Sequence, residues 1–61
     1  NLNTFAVDLK KAIEQYEKRL TEVSVSMTYL KNQKMIQIVV EGILMETNEP
    51  YKYTTSINLW N

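Results

Sequence analysis

Carboxylates and hydroxyls are the side chains of this chain that could most readily support hydrolytic chemistry. There is no histidine and no cysteine, so no imidazole can activate a serine and no thiolate can act as a nucleophile or a zinc ligand. Glycoside hydrolysis needs two carboxyl groups about 5–9 Å apart across a cleft. Because most of the glutamates fall at solvated helix or turn positions, we expect no enzymatic activity. The carboxylates considered are Glu14, Glu17, Glu22, Glu41, Glu46 and Glu49.

The composition also disfavours cofactor, metal, nucleic-acid and membrane binding. Seven basic residues balance seven acidic ones, so the chain exerts no long-range attraction on nucleic acid or on an anionic membrane. Gly42 is the sole glycine, which excludes a glycine-rich phosphate loop. Tyr51, Tyr53 and Trp60 could stack on bases, but too few lysines accompany them. No apolar run is long enough to span a bilayer. We therefore expect no cofactor, no metal, no nucleic acid and no membrane partner.

The segment from Val23 to Leu30 predicts the first β-strand. Valine, methionine and tyrosine at positions 23, 25, 27 and 29 alternate with serine and threonine at positions 24, 26 and 28. This period of two, with β-branched and aromatic residues on one side, is typical of a half-buried strand.

The residues before this strand predict an amphipathic helix from about Thr4 to Thr21. Asn3 or Thr4 can serve as its N-cap. The apolar positions recur at steps of three and four and form one stripe that must pack on a sheet. They are Phe5, Leu9, Ala12, Ile13, Tyr16 and Leu20.

Two further strands follow. Lys31-Asn32-Gln33 predicts a hairpin loop in which Asn32 tolerates a positive φ, and a second strand should run from about Lys34 to Glu46. Gly42 within it indicates a bulge or a close backbone approach. Thr47 to Pro50 predicts a turn, and a third strand should run from Tyr51 to Trp60.

These elements predict an α+β fold: one N-terminal helix packed on a three-stranded antiparallel β-meander, in the order α-β-β-β. Residues 1–61 would be a single small domain and the C-terminal core of a longer protein. Val39 and Trp60 would lie on the sheet face that the helix does not cover. Ile43 and Met45 would join them there unless a bulge at Gly42 reverses the alternation, so their facing stays open. An exposed apolar face beside open sheet edges is typical of a module that joins an assembly. The alternative is that upstream residues cover this face.

Tyr16-Glu17-Lys18-Arg19-Leu20 and the following Val23-Ser24-Val25 resemble a motif of contractile phage tails. The motif belongs to the gene-twenty-five-like baseplate-wedge or sheath-initiator family, often called "lysozyme" and including the TssE subunit of type VI secretion. Its members carry an aromatic-Glu-Pro-Arg-Leu run at a helix end, followed by a Val-x-Val strand. Residues 38–44 and 53–59 also resemble the family's later strands.

The resemblance implies a non-catalytic structural subunit of a cytoplasmic baseplate that nucleates sheath assembly within a large hetero-oligomer. Its partners would be baseplate-wedge and sheath proteins. Glu17 and Arg19 would contact neighbouring subunits, together with Val39, Ile43 and Trp60. The family's proline is Lys18 here, so we expect the helix to continue and to point Glu17 and Arg19 in different directions. The alternative function is a small adaptor or anti-adaptor that binds one protein through its sheet.

Overall fold

A computed structural model of the chain describes residues 1–59. One helix precedes three antiparallel strands that pair in the order β1-β2-β3. The predicted α+β fold, with an N-terminal helix on a three-stranded meander, is therefore confirmed. The elements are α1 (Leu2–Tyr16), β1 (Leu20–Leu30), β2 (Met35–Leu44) and β3 (Pro50–Asn58).

Helix α1 begins earlier than the sequence predicts. Asn1 is its N-cap, and the Asn1 side-chain oxygen accepts a hydrogen bond from the Thr4 backbone N–H at 3.0 Å. This bond satisfies one of the backbone donors that the first turn leaves without a partner. The prediction that Asn3 or Thr4 caps the helix was wrong, because the helix already begins at Leu2 and Asn1 is the residue that precedes it.

Helix α1 also ends earlier, at Tyr16 rather than Thr21. The Glu17 N–H makes the last helical bond, to the Ile13 carbonyl at 2.7 Å, and Glu17 then leaves the helical region with φ −111° and ψ 88°. The Arg19 carbonyl accepts a bond from the Met45 N–H at 2.8 Å. Pairing with the sheet therefore fixes the chain before Leu20, although Lys18 itself would permit further helix.

The bulge lies on β1 rather than at Gly42 of β2. The β1–β2 register shifts between Thr21 and Ser24, and Glu22 adopts a φ of 51°. The β2–β3 register is continuous, so alternation along β2 is not interrupted at Gly42. Ile43 therefore keeps the same facing as Val39, which the sequence left uncertain.

Gly42 nevertheless makes the predicted close backbone approach. A Cβ atom at this position would stand 3.1 Å from the Thr21 carbonyl oxygen, which is backbone held in the bulge. We expect Gly42→Ala to lower the free energy of unfolding by about 1–2 kcal/mol, because overpacking against backbone forces a shift. Urea denaturation monitored by circular dichroism measures this change. Stabilisation, the usual effect of an unstrained Gly→Ala change, would contradict the close approach.

The two hairpin turns use different residues in the left-handed region. In the first, residues 31–34, Lys34 has φ 52°, so the expectation that Asn32 would take the positive φ was wrong. Lys34 is fixed there because its carbonyl also accepts the Leu59 N–H at 3.1 Å. In the second turn, Asn48 has φ 61° within the predicted turn segment, as suits an asparagine.

The core is small and lies under α1 on one face of the sheet. Its buried side chains are Val23, Ile38 and Val40. Within residues 1–59, the backbone of α1 comes close to β1 and to neither β2 nor β3. The helix therefore lies nearest to β1, the side chains of Ile38 and Val40 on β2 are still buried, and the same face is open over β3.

Candidate protein-binding site

An apolar groove runs along the open part of this face, between α1 and β3. It consists of two adjoining depressions of about 590 Å³ and about 390 Å³ that share Leu9 and Ile38. We call it the α1–β3 groove. Helix α1 forms one wall, β3 the other, and β2 the floor. Its apolar and aromatic lining residues are Leu2, Phe5, Leu9, Ile13, Leu20, Met27, Ile36, Ile38, Val40, Tyr51, Tyr53 and Ile57.

The groove exists because α1 lies over β1 rather than over the middle of the sheet. A helix with its side chains is about 10–12 Å wide and so reaches about 5–6 Å to either side of its axis, whereas β3 is about 10 Å from β1 across the sheet. With α1 over β1, the side chains of β3 lack a covering element. Tyr53 and Ile57 are each 52% exposed, and Phe5 on the opposite wall is 62% exposed. Large apolar side chains concentrated in one groove are typical of a binding surface.

The outer edge of β3 borders this groove and offers free backbone groups. Leu59 donates to the Lys34 carbonyl at 3.1 Å, and Leu44 donates to the Glu49 carbonyl at 2.9 Å. In an antiparallel pair, every second residue bonds to the neighbouring strand, and the β2–β3 register is continuous. The backbone N–H and C=O groups of the odd-numbered residues of β3 therefore point toward β2, and those of the even-numbered residues point outward. Pro50 faces outward, where its missing N–H removes no sheet bond. The other outward-directed residues are Lys52, Thr54, Ser56 and Asn58.

Glu17 and Arg19 lie together in the connection between α1 and β1. The Arg19 Nε donates to Glu17 Oε1 at 3.0 Å, Nη2 donates to Oε2 at 3.4 Å, and the Arg19 backbone N–H donates to Oε1 at 3.3 Å. The expectation that these two residues cannot pair locally was wrong, because it assumed a helix through Lys18. Once the helix ends at Tyr16, the carboxylate and the guanidinium meet.

This pairing shifts the pKa of Glu17 and the pKa of Arg19 in opposite directions. The hydrogen bond from the Arg19 side chain, aided by the Arg19 backbone N–H, lowers the pKa of Glu17, and the same bond raises the pKa of Arg19. A lowered pKa means that the pair stabilises the fold above the ordinary pKa of glutamate and loses this effect as the pH falls through the lowered value. The Arg19 side chain is largely exposed and the Glu17 side chain is partly exposed, so water and salt screen the contribution.

We expect Arg19→Ala to leave the thermal midpoint of unfolding nearly unchanged, because exposed ion pairs contribute little to stability. The change should instead remove the fixed orientation of the Glu17 carboxylate. Thermal unfolding at neutral pH and low salt measures the first effect, with Lys18→Ala in the same connection as the control. A large loss of stability specific to Arg19→Ala would show that the pair holds the fold together.

The structure separates the remaining residues that the sequence assigned to partner binding. Val39 and Ile43 lie on the sheet face away from α1, about 13 Å apart along β2, and both are half-buried. In register, Val39 lies between Ser26 and Thr54. That face is therefore mainly polar around Val39. Trp60 lies outside the described residues.

The sequence interpretation missed the groove-lining residues Phe5, Tyr51, Tyr53 and Ile57. Phe5 was predicted to pack on the sheet as part of the helix stripe, and the facing of Tyr51, Tyr53 and Ile57 was not assigned. No local pattern in the sequence places α1 over β1, which is what leaves these side chains exposed.

Two carboxylate residues line the ends of the groove, Asp8 at one end and Glu17 at the other. Their backbones are about 13 Å apart at the rise of an α-helix. Across residues 1–59, no three acidic side chains gather closely enough to hold a metal ion. In the same part of the chain, α1 is too short and too polar to cross a bilayer.

Comparisons with models of protein families, with characterised proteins and with solved structures find no match to this chain.

Proposed function

We propose that this chain is a non-catalytic module that binds a protein partner through the α1–β3 groove and the outer edge of β3. The observation that carries this proposal is the incomplete cover of the sheet. Helix α1 lies over β1, while Tyr53 and Ile57 of β3 remain half exposed beside a buried floor.

The edge of β3 and the α1–β3 groove would make different contacts with the partner. The outward N–H and C=O groups of Lys52, Thr54 and Ser56 can continue the sheet with an added strand, which supplies main-chain hydrogen bonds. The side chains of that strand alternate between the two faces. Every second one would therefore enter the groove beside Tyr53 and Ile57 and provide specificity.

We further propose that the partners are baseplate-wedge or sheath proteins of a contractile injection machine, and that the module works in the cytoplasm. The support is the resemblance of Tyr16 to Leu20 to the sheath-initiator motif. The helix ends at Tyr16 and a strand begins at Leu20, which is where the family places this motif. The Glu17–Arg19 pair lies beside one end of the groove, so it can add polar contacts there.

Affinity capture from a lysate of the source cells, followed by mass spectrometry, tests this proposal. The wild-type protein should retain wedge or sheath proteins, and a variant with Tyr53→Asp should lose them. Capture of one unrelated regulator, again lost with Tyr53→Asp, would move the function to the adaptor or anti-adaptor alternative. Retention that is independent of Tyr53 would contradict a role for the groove.

A further inference from the structure

We propose that the outer edge of β3 also pairs with β3 of a second copy, antiparallel and about a two-fold axis at Thr54. The two sheets would join into one six-stranded sheet. The axis of such a pairing is perpendicular to the sheet, so both copies keep α1 on the same side and both grooves remain on that side. This inference does not rest on the proposed function. Because the pairing uses the same backbone groups of Lys52, Thr54 and Ser56, a second copy and a partner strand would exclude each other at this edge.

The two edges of the sheet differ in how well they resist pairing. The edge of β1 carries the bulge between Thr21 and Ser24, with Glu22 in the left-handed region, and α1 covers one face of that strand. Bulges protect edge strands from association. The pairing of β3 with β2 is continuous from Asn58 to Pro50, so β3 presents a regular edge nine residues long.

A register centred on Thr54 satisfies the outward backbone groups of β3. Thr54 would exchange N–H and C=O bonds with Thr54 of the second copy, and Lys52 would do so with Ser56. Asn58 would donate its N–H to the carbonyl of Pro50 of the second copy. Because proline has no N–H, the return bond to Asn58 would be the one missing hydrogen bond at each end of the pairing. Hydrogen-bonded pairs of this kind alternate with non-hydrogen-bonded ones.

The same register is favourable for the side chains on the groove side. Tyr51 would lie opposite Ile57 of the second copy, and Tyr53 opposite Thr55. These would be the non-hydrogen-bonded pairs, in which Cα atoms are about 4.5 Å apart and side chains lie closest. Aromatic residues paired with β-branched ones are among the stabilising cross-strand combinations. Tyr53 and Ile57, each 52% exposed in one copy, would thereby gain cover.

Charge is also compatible with this register. Lys52, opposite Glu41 in its own sheet, would meet a serine across the new interface rather than another lysine. A shift of two residues either way would place threonine or asparagine opposite Lys52 and leave one end of the strand unpaired. The centred register is therefore the one that uses the whole strand without opposing like charges.

Sedimentation velocity over a concentration series from micromolar to millimolar, with the wild-type protein and two Ser56 variants, tests the proposal. Ser56→Lys would place a lysine opposite Lys52 of the second copy at two symmetric positions, and should weaken the dimer about tenfold. Ser56→Glu should strengthen it severalfold by the same contact. Within one copy Ser56 lies opposite the uncharged Gln37, so the two variants should have similar thermal midpoints at concentrations where the protein is monomeric.

The expected result is a monomer–dimer equilibrium whose dissociation constants follow the order Ser56→Glu, wild type, Ser56→Lys, from tightest to weakest. A monomer throughout the concentration series would overturn the proposal. A dimer with the same affinity in both variants would also overturn it, because the interface would then lie elsewhere.

Discussion

Replacement of Ile38 by alanine is expected to lower the free energy of unfolding by about 2–5 kcal/mol. A chain of this size without disulfides or metals has a total stability of about 3–5 kcal/mol, so a large part of the population should unfold at room temperature. Ile38 is 6% exposed at the centre of the central strand. Its loss leaves a cavity in a core whose buried apolar side chains, within residues 1–59, otherwise comprise Val23 and Val40.

Ile57→Ala is the matched control for this prediction. Ile57 belongs to the neighbouring strand and lines the same groove, but it is 52% exposed. Its truncation removes little buried area, so we expect a loss below about 1 kcal/mol. Urea denaturation of both variants measures the difference. If both variants lost the same free energy of unfolding, the groove would be closed in solution and the core would include Ile57.

Replacement of Tyr53 by alanine is expected to weaken partner binding by about 2 kcal/mol, or roughly thirtyfold. Tyr53 is half exposed at the centre of the β3 wall of the groove, where a docked segment would bury it completely. Truncated tyrosines at the centre of an interface are frequent hot spots. Stability should change little, because the side chain makes limited contacts within one copy. Isothermal titration calorimetry with the captured partner measures the effect.

Tyr29→Ala is the control for the binding experiment. Tyr29 is 49% exposed, and its register with Ile36 places it on the same face of the sheet, but it belongs to β1 and is not among the groove-lining residues. Binding should be close to that of the wild type. If both tyrosines weakened binding equally, the partner would cover the whole face rather than the groove, and if neither did, the site would lie elsewhere.

Much of the fold follows from local patterns in the sequence. The alternation after Val23 predicts β1 and its facing, and the Asn-Glu-Pro segment before Tyr51 predicts the second turn. Gly42 correctly indicates a close backbone approach. These features depend on short-range rules, because side-chain alternation and turn chemistry act within a few residues.

The features that the sequence did not reveal depend on contacts between elements. The end of α1 at Tyr16 depends on the bond between Arg19 and Met45, and the Glu17–Arg19 pair follows from that end. The bulge at Glu22 lies opposite Gly42, so the strand that departs from regular pairing is not the one that carries the glycine. The open groove depends on the position of α1 over β1 rather than over the middle of the sheet, and no single segment contains that information.

The arrangement of close neighbours along the chain has a consequence for folding. Within residues 1–59, the backbone of α1 lies beside β1, that of β1 beside β2 and that of β2 beside β3, so the closest backbone neighbours are elements that are consecutive in sequence. Such an arrangement keeps the contact order low, which favours rapid folding. Because the backbone of α1 does not come close to β3, β3 is held mainly by β2. It can detach in a local opening without disrupting α1, β1 and β2, which makes it the segment best suited to exchange between molecules.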